Sequence, residues 1–174
     1  KIVDSPHELK RVLDQKNPNS AKAYYQRANN YYNLGKLEEA LHDYQETVRL
    51  NPKNADAYYF IGSICRDSEQ FETAIEAYGH TLEQNNKDTE AYFFRGLCFY
   101  YLEKIPEAIA DYTAAIACNP SYPYAYNNRG VAYKQLQQYE QAMEDYNKAI
   151  ALDTDYQLAF YNRGMLRETL GDNV

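Results

Sequence analysis

The phrases "AYFFRGLCFYYL" (Ala91–Leu102), "AYNNRGVAYKQL" (Ala125–Leu136) and "AFYNRGMLRETL" (Ala159–Leu170) begin 34 residues apart. Equal spacing of near-identical phrases marks a repeat array, in which each unit buries its apolar face by stacking on the next. A register started at Ala21 divides the chain into units 21–54, 55–88, 89–122 and 123–156, with a partial unit from Gln157. The fourth place of each unit holds Tyr24, Tyr58, Tyr92, Tyr126 and Phe160, and the eighth holds Ala28, Gly62, Gly96, Gly130 and Gly164. The twentieth is Ala40, Ala74, Ala108 and Ala142, and the twenty-fourth is Tyr44, Tyr78, Tyr112 and Tyr146. Tyrosine, with 20 copies against no Trp, therefore fills both aromatic columns.

Each unit reads as two helices. In the first, helix A covers about 21–33 and "NLGK" breaks it, with Gly35 in the turn. Helix B then sets Leu37, Ala40, Leu41, Tyr44 and Val48 on one face, and Pro52 in "NPKN" ends it. Pro106 and Pro123 fall in first turns, where proline is tolerated. Small residues at the eighth and twentieth places let two helices approach, with the large aromatics of both tyrosine columns filling the core around them. At the N-terminus, "SPHE" (5–8) starts a helix to about Lys16 within segment 1–20, a cap or the end of a preceding repeat. At the other end, segment 157–174 supplies helix A alone.

Bulk properties narrow the function. A formal net charge of −7 disfavours binding to nucleic acid, and no apolar run is long enough for membrane insertion. Cys65, Cys98 and Cys118 have neither disulfide-framework nor metal-motif spacing and read as buried thiols. Free thiols and the lack of a visible signal segment favour the cytoplasm. His7, His42 and His80 make no paired metal spacing, and no phosphate-cradling loop occurs. No catalytic residue, cofactor site or metal site is expected, and the chain reads as non-enzymatic. The first residue is Lys, which fits a processed chain or an excised piece.

These columns resemble those of the tetratricopeptide repeat, over residues 21–171. The departures are Tyr for the usual Trp and for the Phe of helix B, with Asn86 and Thr154 in place of Pro. The resemblance implies an all-α, right-handed α-solenoid of helix-turn-helix repeats whose A helices line a concave groove. It also implies a scaffold for a protein or peptide partner. Arg95, Arg129 and Arg163 are expected to make contacts between units, to acidic residues or carbonyls.

On that register the groove candidates are Tyr25, Asn29, Tyr59, Phe60, Phe93, Phe94, Tyr101, Tyr124, Asn128 and Asn162. The aromatic members either pack between units or anchor a partner's apolar side chains, with Phe60 and Phe94 the leading anchors. Asn128 and Asn162 either hold a peptide backbone or are simply solvated. Family members that bind acidic chaperone C-terminal tails use Lys and Asn one turn apart on one A helix, Asn on the next, and Lys and Arg one turn apart on the third. The equivalent windows here hold Phe60, Glu90, Phe94, Leu158 and Asn162, so no such tail is expected to bind. The rival functions are a homodimer through the C-terminal helix and the recognition domain of a larger enzyme.

Overall fold

A computed structural model describes residues 19–171. The helix expected over 6–16 lies outside them. Among the described residues the elements are α1 (Ala21–Asn33), α2 (Leu37–Leu50), α3 (Ala55–Asp67), α4 (Phe71–Gln84), α5 (Thr89–Tyr101), α6 (Ile105–Cys118), α7 (Pro123–Gln135), α8 (Tyr139–Leu152) and α9 (Gln157–Leu170). The fold is all-α. Helices up to Gln84 form one compact body and those from Asn85 a second. In the first, α1 packs on α2, α2 on α3 and α3 on α4. In the second, α5 packs on α6, α6 on α7 and α7 on α8, while α9 packs on α8 and touches α7.

Local chemistry sets the ends. Ser20, Asn54 and Asp88 cap α1, α3 and α5 by accepting from the amides of Ala23, Ala57 and Ala91. α7 starts on Pro123 instead, whose fixed φ suits a first helical position. Each A helix ends in a residue with positive φ: Gly35, Glu69, Glu103, Gln137 and Gly171. The next amide then reaches back, as Lys36 does to the Tyr31 carbonyl and Lys104 to that of Phe99, which is the bond that closes a left-handed cap. The sequence marks this turn only where glycine occupies it, at 35 and 171.

The contact between helices A and B rests on the eighth and twenty-fourth columns. Tyr44, Tyr78, Tyr112 and Tyr146 are fully buried, as are the alanines of the twentieth column. A methyl placed on Gly62, Gly96 or Gly130 would meet the ring of Tyr78, Tyr112 or Tyr146 at 2.9, 3.0 and 2.8 Å. At Gly164 the same methyl meets nothing within 4 Å. The fourth column differs from expectation. Tyr24, Tyr58 and Tyr92 are half-buried and Phe160 is exposed. The guanidinium groups of Arg27, Arg95, Arg129 and Arg163 lie over the Tyr24, Tyr92, Tyr126 and Phe160 rings at 5.2–5.8 Å from the centroids, as cations favour. Tyr126 alone of this column is buried in a core cluster, as expected. Cys118 is likewise only half-buried, while Cys65 and Cys98 are buried as expected.

The arginine column also corrects an expectation. Arg95 grips Asp111 through Nε and Nη2 at 2.7 and 2.8 Å, and Arg129 grips Asp145 at 2.8 Å through both nitrogens. Arg27 holds Asp43 in the same bidentate way. Each pair joins helix A to helix B of the same unit. Only Arg129, through Thr113, and Arg163, through Asn147, reach the preceding unit. In the second unit Ile61 and Ala77 stand in the two columns. An apolar pair therefore substitutes for the ion pair at one place in the same fold. Burial pushes the Asp145 carboxyl above the usual carboxylate range even though Arg129 opposes it. Such a pair contributes less than its geometry suggests, while half of it is worse than none.

Two measurements check these contacts by chemical denaturation. Gly130→Ala is expected to destabilise by about 1–3 kcal/mol through overpacking against Tyr146. Gly164→Ala, in open space within a helix, is expected to stabilise by up to about 1 kcal/mol. Arg129→Ile alone should destabilise by about 3–5 kcal/mol by stranding Asp145, and Arg129→Ile/Asp145→Ala, copied from the Ile61 and Ala77 positions, should recover most of that loss.

Candidate partner-binding faces

The first body carries Tyr25, Asn29, Tyr59 and Phe60, all half-buried. Tyr25 leans on Tyr44 at 6.0 Å, and Asn29 Oδ1 accepts the Tyr44 hydroxyl at 2.7 Å. Phe60 stacks on Tyr44 (5.1 Å, 5° between planes) and meets Tyr32 edge-on at 5.1 Å. Tyr59 sits edge-on to Phe60 at 5.8 Å and to Tyr78 at 5.7 Å. Phe60 is thus committed on one face to α1 and α2, with part of its ring left at the surface. Asn29 already satisfies a buried hydroxyl.

The second body carries the other candidates. Phe93 is only 8% exposed, ringed by Phe94 at 5.2 Å, Tyr122 at 5.3 Å and Tyr112 at 5.9 Å. It belongs to the core and offers a partner almost nothing. Phe94 packs against that core while staying half-buried. Tyr101 and Tyr124, by contrast, are 57% and 44% exposed, and Leu158 is 51% exposed. Tyr124 is braced edge-on by Tyr122 and Tyr156 at 5.3 and 5.2 Å.

Asn128 and Asn162 are joined through a third amide. Asn162 Nδ2 donates to Asn127 Oδ1 at 2.9 Å, and Asn127 Nδ2 donates to Asn128 Oδ1 at 3.1 Å. Asn127 is 1% exposed. It was legible as the polar member of a fifth-place column otherwise filled by Tyr25, Tyr59, Phe93 and Tyr161. The asparagines are neither independent nor merely solvated: they form one polar chain across α9 and α7.

Between α5, α6, α7 and α9 lies a cavity of about 260 Å³. Leu97, Val131 and Leu158 form its apolar wall, Tyr100 and Tyr101 one side, and Asn128 and Tyr112 its polar part. No Lys or Arg lines it. The Tyr112 hydroxyl is buried without a hydrogen-bond partner, as is that of Tyr146. The ninth-place column explains both. Where it holds Asn29 or Ser63, the tyrosine hydroxyl of the same unit is paired, Ser63 with Tyr78 at 3.2 Å. Where it holds Leu97 or Val131, the hydroxyl is orphaned. Among the described residues no three His, Cys, Asp or Glu side chains come together as metal ligands, and no helix is long and apolar enough to cross a membrane.

Three family models match the chain: "Tetratricopeptide repeat" at 25–88, "TPR repeat" at 96–137 and "Tetratricopeptide repeat" at 123–156. The chain belongs to the tetratricopeptide repeat family, whose members are generally non-enzymatic interaction scaffolds. No curated protein matches it. Among solved structures it is similar to the MamA protein (23% identity, 87% of this chain and 83% of that one, TM-score 0.83). It is also similar to MamA from residue 41 to the end from Desulfovibrio magneticus RS-1 (22%, 87% and 86%, 0.82). A third is the first TPR of Spaghetti (RPAP3) bound to the HSP90 peptide SRMEEVD (25%, 67% and 93%, 0.65).

Hydroxyl pairing makes a testable contrast. Tyr146→Phe removes an orphaned buried group and is expected to leave stability unchanged or raise it. Tyr44→Phe breaks the bond to Asn29 and is expected to cost about 1 kcal/mol. Thermal unfolding of the two variants beside the native chain reads both.

Proposed function

We propose that the chain is a non-enzymatic scaffold that holds an extended peptide or protein segment against its A-helix face, chiefly on the second body. The observation that carries this reading is the exposure of Tyr101 and Leu158 at a cavity they line, with Tyr124 exposed on the same body. Large aromatics held at the surface by neighbouring rings are the side chains that most often dominate protein recognition. Phe60 and Phe94 contribute the exposed parts of their rings as secondary apolar anchors, and Tyr25, Asn29 and Tyr59 shape the face of the first body.

The partner is uncharged or apolar where it meets this face. The Spaghetti domain is described with SRMEEVD, which is acidic. Here Glu90 is exposed and no cation lines the cavity, so a terminal carboxylate finds no counter-charge. Free thiols fit a reducing compartment, the cytoplasm, as the place of action. A second reading, self-association through α9, is favoured by exposed Phe160, Tyr161 and Met165 on that helix and by the open space at Gly164.

Lysate pull-down read by mass spectrometry tests the first reading. Native chain is expected to retain a partner that Tyr101→Ser/Tyr124→Ser loses, with both folded by circular dichroism; equal retention moves the binding surface elsewhere. Titration with SRMEEVD is expected to give no saturable signal. Light scattering across a dilution series is expected to show one mass, and a dimer broken by Met165→Glu would favour α9 pairing instead.

A further inference from the structure

The cavity of the second body has a directional polar chemistry. Asn162 donates to Asn127, and Asn127 donates to Asn128. With its oxygen engaged, Asn128 has its N–H donors to present at the cavity. Beside it stands the Tyr112 hydroxyl, fully buried and without a hydrogen-bond partner. Burial pushes the Tyr112 phenol up, and Asn128 acts in the opposite direction, as an amide N–H near the phenol oxygen does, without reaching hydrogen-bond geometry. The Tyr112 proton therefore remains undonated. Asn128 and Tyr112 both line the cavity, so its polar part is made of groups able to donate.

The rest of the cavity defines what carries the matching acceptor. Leu97, Val131 and Leu158 suit an aliphatic stem. A volume of about 260 Å³ is below that of pockets for whole small molecules and suits a single side chain. A carboxylate there would lose its hydration with no cation to replace it. Tyr146 shows that an orphaned hydroxyl alone is not a site, because it lines no part of this cavity. Tyr112 combines the orphaned hydroxyl with a place in the lining of this cavity.

We propose that this cavity seats an uncharged carboxamide, a glutamine or asparagine side chain of the bound peptide, whose oxygen accepts from Tyr112 Oη and Asn128 Nδ2 while its stem packs on Leu97, Val131 and Leu158. The assignment rests on the peptide-binding reading above and makes it specific. It also assigns Tyr112 a role besides packing against Gly96.

The test pans a displayed library of random dodecapeptides on the full chain. Selected peptides are expected to be enriched in Gln or Asn. Changing that residue to Leu or to Glu is expected to weaken binding to the native chain by about tenfold. On Tyr112→Phe, the Gln and Leu peptides should bind equally well. Asn128→Ala, a substitution at a half-buried position, should behave likewise and serves if Tyr112→Phe is misfolded by circular dichroism. Peptides that bind with no carboxamide preference, or with a preference unchanged in both variants, overturn this assignment and leave the peptide-binding reading standing. A library that yields no binders overturns both.

Discussion

The structure depends on one close approach: the flat ring of a helix-B tyrosine lying against a helix-A residue that has no side chain. At Gly62, Gly96 and Gly130 there is no room for even a methyl without moving the ring. A fully buried tyrosine is large enough to set the spacing of a helix pair by itself, and the alanines of the twentieth column keep the two backbones near. Everything outside this contact has more latitude. The first unit places Ala28 in the glycine column and still buries Tyr44 completely. Gly164, on α9, has no ring against it and keeps only the signature.

Columns that look independent in sequence are coupled in space. Arg in the seventh place accompanies Asp in the twenty-third at 27 and 43, 95 and 111, and 129 and 145, and both disappear together at Ile61 and Ala77. A buried ion pair tolerates joint replacement by apolar groups and does not tolerate the loss of one member. The ninth place is coupled to the tyrosine hydroxyl by the same logic, without the coupling being strict. Asn29 and Ser63 satisfy the hydroxyl, whereas Leu97 and Val131 do not. A single buried hydroxyl left unpaired is tolerable in an otherwise well-packed array.

The helix pairs were legible because a 34-residue period repeats their small, large and turn positions several times over. The left-handed turn was legible at Gly35 and Gly171 and hidden at Glu69, Glu103 and Gln137, since a cap bonded through backbone amides places little demand on residue type. The candidate faces were legible as a register and not as exposure. Phe93 and Tyr101 both fall on the inner side of helix A, yet one is core and the other open. Which of them stays exposed depends on what Tyr122 and its neighbours cover, and these lie one helix pair away in sequence. The expected contacts between units hold for Arg163 and for one nitrogen of Arg129, while the ion pairs of Arg95 and Arg129 stay within a unit because the partner aspartates sit 16 residues on.

That division identifies where side chains can vary without loss of the fold. The fifth and sixth places are largely committed to packing, as Phe93, Phe60 and Asn127 show. The second and thirteenth places, represented by Tyr124, Leu158 and Tyr101, are exposed and contribute little to the helix contact. The ninth place lies between these two classes. A polar residue there closes the hydroxyl below it, and an apolar one leaves that hydroxyl for something else to meet. Exchanging the ninth-place residue changes the polar chemistry around the tyrosine hydroxyl, while the glycine and tyrosine beneath keep the helices in place. Leu97 carries the apolar form of that exchange and lines the cavity of the second body.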